Sequence, residues 1–99
     1  MNKKIRLPLT KQQEKVLQYI IDFFAKKSYP PTYPEITEAL NFKSPGHAYA
    51  VVKALKSKGY LTSSNSTNHR SLLLTEISEN MPTSQQLSLF KNGKETNND

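Results

Sequence analysis

The segment from Lys43 to Gly59 reads KSPGHAYAVVKALKSKG and is the clearest indication of the fold. It carries the signals of one helix at both ends. Ser44 can cap the first turn through its hydroxyl, and Pro45 suits the first helical position because no N–H is needed there. Gly59 can close the helix in the left-handed conformation. We therefore predict a helix that begins at Pro45 and ends before Gly59.

The two faces of this helix differ in polarity. The apolar face repeats at i, i+3, i+4 and i+7 and comprises Ala48, Val51, Val52 and Leu55. The other face is polar and basic and carries His47, Tyr49, Lys53 and Lys56, with small Ala50 among them. A short helix with this division suits the major groove of DNA. Ordinary solvent-facing residues are the alternative interpretation.

Composition limits the class of protein. The 99 residues suffice for one small domain, and without cysteine the packing of helices must hold it together. Thiolate metal sites and cysteine nucleophiles are excluded. The two histidines, His47 and His69, have no carboxylate at the spacing of a metal site or triad, so we expect no enzyme, no metal and no cofactor.

The cellular location follows from what the chain lacks. It has no run of about 18 apolar residues, and its N-terminus, MNKKIR, lacks the apolar stretch of a signal peptide. We expect a cytoplasmic, nucleoid-associated protein with no membrane partner. No small-molecule ligand is indicated.

The net charge of +6 is unevenly distributed. Residues 1–75 hold 12 of the 14 Lys and Arg residues but four of the eight Asp and Glu residues. This excess attracts phosphate and favours a nucleic-acid partner, with improved solubility as the alternative. Residues 1–9 are predicted to be a flexible basic arm, which either contacts phosphates or is an ordinary frayed terminus.

Two helices are predicted before the Lys43–Gly59 stretch. Thr10 opens the first one in a capping-box pattern with Gln13. Prolines at 30 and 31 interrupt it, and Thr32 can cap a second, shorter helix. Asn41 tolerates positive φ and turns the chain into the next helix. A short helix, a tight turn and a second helix form a helix-turn-helix.

A β-hairpin is predicted after these helices. Its strands cover residues 60–62 and 70–75, around a polar loop. As a wing, it would bring its tip near the DNA backbone or minor groove, and the tip residues are Asn68, His69 and Arg70. A plain connecting hairpin is the alternative. Residues 10–75 are thus predicted to be α+β, mainly α: a winged helix-turn-helix with three helices and a two-stranded wing.

Residues 76–99 are predicted to be a flexible, disordered tail, since they are polar and lack an apolar period. One isolated apolar segment lies within it, at residues 86–90. It consists of Gln86, Leu87, Ser88, Leu89 and Phe90. This segment is either a free peptide that binds a partner or a segment that folds back over the core.

In combination, these patterns resemble the N-terminal DNA-binding domain of the LexA repressor family, a winged helix-turn-helix. The matching residues lie in order over residues 7–75. They are Leu9-Thr10-x-x-Gln13, Pro30-Pro31-Thr32, Glu35-Ile36, Asn41-Phe42-Lys43-Ser44-Pro45, Ala48, Lys53-Ala54-Leu55, Lys58-Gly59 and Arg70 with its leucines. The resemblance implies a transcriptional regulator that binds double-stranded DNA through the first turns of the Lys43–Gly59 helix.

The DNA-reading positions depart from the family pattern. Ser44 keeps the family's serine, whereas Gly46 and His47 stand where known members carry Asn and Ala. Tyr49 and Ala50 stand where some members carry acids. We therefore expect DNA binding with a different target sequence. The predicted contacts on this helix are Ser44, Gly46, His47, Tyr49, Ala50, Lys53 and Lys56.

Full repressors of that family continue into a peptidase domain that dimerises and cleaves itself with Ser and Lys. The chain ends without such a domain, so we expect no self-cleavage and only a weak homodimer on DNA. The resemblance implies a bacterial or phage origin.

The segment at residues 86–90 resembles the short peptide by which bacterial replication and repair proteins bind the DNA polymerase sliding clamp. Its amide side chain can orient the peptide, and its large apolar side chains can fill a pocket. One hypothesis is a LexA-like regulator tethered to the clamp. The alternative is a clamp-binding protein that modulates or inhibits DNA replication, with the winged domain as a docking module.

Overall fold

A computed structural model describes residues 7–64 and 70–87 of the chain. The elements follow in the order α1 (Lys11–Lys27), α2 (Tyr33–Ala39), α3 (Pro45–Ser57), β1 (Leu61–Ser63), β2 (Leu72–Leu74) and α4 (Glu76–Glu79). The strands pair antiparallel, with Leu61 opposite Leu74 and Ser63 opposite Leu72. This mainly helical architecture with a two-stranded hairpin confirms the predicted fold class.

Helix α1 begins with the predicted capping box. The Thr10 hydroxyl accepts a hydrogen bond from the Gln13 N–H at 3.1 Å, and Gln13 Oε1 accepts one from the Thr10 N–H at 3.2 Å. At its end, Ser28 adopts a left-handed backbone with φ 68° and donates its N–H to the Phe24 carbonyl. Both ends of α1 are therefore fixed by local hydrogen bonds.

Helix α2 begins with a second capping box. The Glu35 N–H donates to the Thr32 hydroxyl at 3.2 Å, and the Thr32 N–H donates to Glu35 Oε1 at 2.9 Å. The turn that follows contains Asn41 at φ 61°, as the sequence predicted. This tight turn sets α3 against α2 and completes the helix-turn-helix.

The chain leaves α3 through Gly59, whose φ of 88° lies in the region that favours glycine. This glycine closes α3, as predicted, and directs the chain into β1. Tyr60 lies just before the strand and is 3% exposed. The hairpin therefore starts inside the core.

The core lies between α1, α3 and the hairpin, with α2 packed at one side. Leu61 and Leu72 carry the base of the hairpin into it. The buried apolar residues are Val16, Leu17, Ile20, Ile21, Ile36, Ala48, Val51, Val52, Leu55, Tyr60, Leu61 and Leu72. These residues include the whole predicted apolar face of α3, so the position of that helix is set by packing.

The folded region extends past residue 75. Helix α4 packs on the end of the hairpin, and its Ser78 is fully buried. The Ser78 hydroxyl donates to the Tyr60 carbonyl at 2.6 Å, and the Thr75 hydroxyl donates to the Gly59 carbonyl at 2.6 Å. These bonds join α4 to the turn that ends α3.

Beyond α4 the chain returns to α1. Gln18 Nε2 donates to the Pro82 carbonyl at 3.0 Å, and the Ser84 N–H donates to Asp22 Oδ1 at 2.8 Å. The structure thus corrects the predicted flexible tail for residues 76–87. Apolar periodicity did not indicate this segment because only Ile77 and Met81 pack on the core from it, and its hydrogen bonds reach residues distant in the sequence.

Candidate nucleic-acid interface

The two faces of α3 are sharply separated. Its buried side consists of Ala48, Val51, Val52 and Leu55, with exposed fractions between 0% and 7%. Five predicted contact residues are exposed on the other side, and Lys56 is half-buried near the C-terminal end. The five are Gly46, His47, Tyr49, Ala50 and Lys53. The structure thus brings the predicted contacts of α3 together on one solvent-facing surface, which we call the reading face together with Ser44.

The start of α3 differs from the prediction for Ser44. This residue occupies the N-cap position with an extended backbone, but its side chain makes no capping hydrogen bond. The N–H of His47, a usual partner for such a cap, donates instead to the Ser44 carbonyl at 3.1 Å. The predicted hydroxyl cap is therefore wrong. The exposed Ser44 hydroxyl lies beside Gly46 at the front of the helix.

His47 is held in place from two sides. Its ring stacks on Phe42, with ring centres 4.4 Å apart and planes inclined by 26°. Its Nε2 lies 3.3 Å from Gln12 Oε1 on α1. These contacts fix the imidazole while the residue as a whole stays exposed, which suits a side chain that meets a base edge or phosphate. Phe42 and Gln12 were missed by sequence reasoning, since neither carries a functional signal of its own.

Tyr49 is 50% exposed in the middle of the reading face. Its ring meets the edge of Tyr33, the first residue of α2, with ring centres 5.5 Å apart. Burial raises the pKa of Tyr33 above its usual value. The pair joins α2 to α3 and orients the Tyr49 ring. Tyr33 was not among the residues that the sequence pattern indicated.

The lysines near the end of α3 have different roles. Lys53 is exposed on the reading face, and Lys56 lies on the next turn. Lys58 is directed into the fold, where its Nζ donates to the Pro8 carbonyl at 2.8 Å and to Gln13 Oε1 at 2.7 Å. Lys58 therefore ties the N-terminal segment to the end of α3. Lys53 and Lys56 are the predicted phosphate contacts on this helix.

The structure assigns Arg70 a different position from the one predicted. Its guanidinium forms a bidentate ion pair with Glu35, with both N–O distances 2.8 Å, and also donates to the Pro30 carbonyl at 2.8 Å. It lies over the Tyr29 ring at 4.6 Å. Because its charge is matched by Glu35, Arg70 anchors the hairpin to the start of α2. The prediction that it contacts DNA as part of the wing tip is not supported by this geometry.

The ion pair changes the acidity of Glu35. Hydrogen bonds from the Arg70 guanidinium, and secondarily from the Thr32 backbone, lower the pKa of this carboxyl to about 2. The same interaction raises the pKa of Arg70. Glu35 therefore caps α2 and holds the hairpin at once. In the sequence, Glu35 was indicated only as one of the residues that match the family pattern.

Of the remaining predicted contacts, some lie within the described residues and some lie outside them. Asn68 and His69 lie outside them, as do Ser88, Leu89 and Phe90. The described part of the 86–90 segment begins inside a helical turn. Gln86 Oε1 accepts from the Thr83 N–H at 2.8 Å, and the Gln86 N–H donates to the Thr83 hydroxyl at 3.1 Å. Leu87 is 42% exposed.

Residues 7–64 and 70–87 contain neither a cluster suited to a metal ion nor a helix suited to cross a membrane. No three His, Cys, Asp or Glu side chains in these ranges are grouped so that they could hold a metal ion. The helices in these ranges are too short or too polar to span a lipid bilayer.

Together, the tight turn, the two-sided α3 and the β1–β2 hairpin define a winged helix-turn-helix. A model of the family described as the LexA DNA binding domain matches residues 6–71, and the chain belongs to this family.

Several relatives are named LexA repressor. That of Desulfatibacillum aliphaticivorans is 42% identical over 60 residues, which cover 61% of this chain and 30% of the relative. That of Marinomonas sp. (strain MWYL1) is 36% identical over 77 residues, covering 78% and 37%. That of Teredinibacter turnerae is 37% identical over 76 residues, covering 77% and 38%. The matched region thus covers 30–38% of the length of these relatives.

Proposed function

We propose that this chain is a DNA-binding transcriptional regulator that recognises a specific operator with the reading face of α3. One observation carries the proposal: α3 buries one complete side in the core and presents polar and basic residues on the other, within a helix-turn-helix of the LexA DNA-binding domain family. The relatives' name, LexA repressor, supports repression as the outcome of binding.

The residues of the reading face and Lys56 divide into three roles in this proposal. His47 and Tyr49 meet base edges, since both present hydrogen-bonding groups from an oriented ring. Gly46 and Ala50 are small and allow the helix to approach the major groove closely, and the Ser44 hydroxyl can hydrogen-bond to the DNA backbone. Lys53 and Lys56 neutralise phosphates. Because the base-reading positions differ from the family pattern, the operator should differ from that of the known repressors.

The wing completes the interface. Asn68 and His69 remain proposed contacts at its tip, whereas Arg70 positions the wing through Glu35. Two copies on an inverted repeat would double the number of base contacts, so a weak homodimer on DNA belongs to the proposal. Self-cleavage does not, because the reading face has no part in that reaction.

Selection of duplexes from a random pool, followed by affinity measurement on the enriched sequence, tests this function. We expect an enriched sequence, with two inverted copies if the homodimer forms. His47→Ala combined with Tyr49→Ala should reduce the preference for that sequence by about 10-fold or more, at 1–3 kcal/mol per base contact. Lys53→Ala with Lys56→Ala should weaken binding to all duplexes. Failure of the wild type to prefer any sequence would overturn the proposal.

A second proposed function is binding to the bacterial sliding clamp, alone or together with DNA. The specific observation in its favour is the QLSLF sequence at residues 86–90, whose Leu87 is exposed to solvent. The Gln86 side chain caps a helical turn, so binding would require that turn to open before its amide can orient on the clamp. This cost is consistent with an affinity on the order of micromolar or weaker.

Recovery of purified sliding clamp on immobilised protein tests this second function. Leu89→Ala with Phe90→Ala should abolish recovery, because these side chains would fill the apolar pocket. Gln85→Ala is the matched control, since it changes an exposed neighbour outside the motif. Equal recovery by wild type and the double variant would exclude the clamp as a partner. If clamp binding prevents DNA binding, the alternative of a replication modulator is favoured.

A further inference from the structure

A basic groove lies beside the start of α3, outside the reading face except for His47. The first two turns of α1 supply Lys11, Gln12 and Lys15, the turn after α2 supplies Phe42 and Lys43, and α3 supplies His47. The groove has a volume of about 610 Å³, and none of its described lining residues is acidic. It therefore presents positive charge in a concave surface, which focuses the attraction of anions.

The floor of this groove is held by contacts between three elements. Phe42 stacks on His47 at 4.4 Å, and His47 in turn meets Gln12 at 3.3 Å. The three lysines are exposed around this floor, and among the described residues no carboxylate forms an ion pair with them. They differ in this from Lys58, whose ammonium is used within the fold.

The basic groove lies where a DNA backbone would pass if α3 occupied the major groove. Helix α3 has 13 residues, so it is about 20 Å long, whereas the major groove is about 12 Å wide. A helix of this length that lies obliquely in the major groove brings its ends near the two phosphate backbones that border it. Lys53 and Lys56 lie toward its C-terminal end, and the basic groove lies at its N-terminal end. One set of cations is thus available for each backbone.

We propose that the basic groove binds the DNA backbone at the N-terminal end of α3, with Lys11, Lys15 and Lys43 neutralising its phosphates. This inference rests on the proposed function and extends the interface from the reading face onto α1. The ligand chemistry is a phosphodiester. A free nucleotide or inorganic phosphate presents similar chemistry, and the test below separates these sources.

The test compares two double variants with the same loss of charge. Lys11→Gln with Lys43→Gln changes the groove, and Lys26→Gln with Lys27→Gln changes two exposed lysines in the last turn of α1. The probe is the duplex enriched by the wild type, with a scrambled duplex beside it. Binding is measured by fluorescence anisotropy over a series of salt concentrations, and circular dichroism checks that each variant is folded.

The groove variant should reduce the magnitude of the slope of log K against log salt by about 2, since each of the two lost phosphate contacts contributes about 0.9. The preference for the enriched over the scrambled duplex should not change, because phosphate contacts carry no sequence information. The control variant should change the slope by less than about 0.5. An unchanged slope in the groove variant, or the same decrease in both variants, would overturn the inference.

Two further outcomes are distinguishable. A wild type that binds neither duplex overturns the proposed function and this inference together, whereas wild-type binding with an unaffected groove variant overturns only the inference. In a separate arm, adenosine monophosphate or inorganic phosphate is added to the complex at constant ionic strength. Retention of the duplex supports a backbone site. Release of the duplex by either anion would reassign the groove to a free phosphate ligand and overturn the inference.

Discussion

The helices of the helix-turn-helix begin differently from one another. Helices α1 and α2 start with reciprocal capping boxes and carry a glutamate in the first turn, Glu14 in α1 and Glu35 in α2. Helix α3 starts at Ser44 with no side-chain cap and no acidic residue in its first turn. Helices α1 and α2 thus satisfy backbone N–H donors of their first turns with their own side chains. The first turn of α3 stays accessible and carries no acidic residue.

The buried side of α3 holds this helix in place. Four of its residues are buried against α1 and the hairpin, and Val52 and Leu55 are completely inaccessible. Packing therefore supplies for α3 the stability that capping supplies at the starts of α1 and α2. The division teaches that a DNA-facing helix can dispense with local hydrogen bonds at its start when tertiary contacts fix its position. Four variants test this division.

Leu55→Ala should have the largest effect. It removes a fully buried side chain from the back of α3, and such substitutions cost about 2–5 kcal/mol. Urea denaturation measures the loss in the free energy of unfolding. Ser57→Ala, an exposed change in the same helix, is the control and should stay within about 0.5 kcal/mol of the wild type. A small effect of Leu55→Ala would show that packing does not hold α3.

Thr32→Ala should have an intermediate effect of about 1 kcal/mol. It removes the hydroxyl that accepts from the Glu35 N–H at the start of α2, and losing such a cap typically costs this much. Thermal and urea denaturation measure it. Thr32→Ser keeps the hydroxyl and should restore most of the stability. If both variants matched the wild type, the capping box would not be what stabilises the start of α2.

The pH dependence of stability tests the Glu35 contact. Since its folded-state pKa of about 2 lies below the usual value of 4.5, the contact adds stability above about pH 4.5 that is lost as the pH falls toward 2. We expect the Tm of the wild type to fall more steeply over this window than that of Glu35→Gln. Glu38→Gln removes another carboxylate of α2 and should keep the wild-type slope. Parallel curves for wild type and Glu35→Gln would contradict the assignment.

Ser44→Ala should have the smallest effect on stability, below about 0.5 kcal/mol, because its hydroxyl caps nothing. It should nevertheless weaken DNA binding severalfold, since the hydroxyl is exposed at the start of α3, where we propose that the helix contacts DNA. Denaturation and duplex affinity are measured on the same preparation. A stability loss as large as that of Thr32→Ala would remove the contrast between α3 and the other helices.

Local features of this fold were readable from the sequence. The Thr10–Gln13 box and the Thr32 cap each lie within three residues of their partners, and the positive φ of Asn41 and Gly59 follows from residue type. The buried side of α3 followed from apolar periodicity alone. In each case the physical cause lies within about two helical turns of chain.

Features that depend on distant partners were not readable. Arg70 finds Glu35 across 35 residues, and Ser84 finds Asp22 across 62. Neither the Arg70 side chain nor the Asp22 side chain differs by type or spacing from one facing water. Ser44 illustrates the opposite error: its type and position predicted a cap, but the His47 N–H had another acceptor. The exposed side of α3 was therefore predicted better than the contacts that support it.

The buried Ser78 hydroxyl has a consequence for where the cooperative folding unit stops. The family match ends at residue 71, yet Thr75 and Ser78 both hydrogen-bond to the Gly59–Tyr60 turn. A fragment cut at residue 75 would leave the Tyr60 carbonyl without its hydroxyl partner and expose the apolar surface under α4. The minimal stable fragment should therefore include residues through 87, with any fused tag joined after that point.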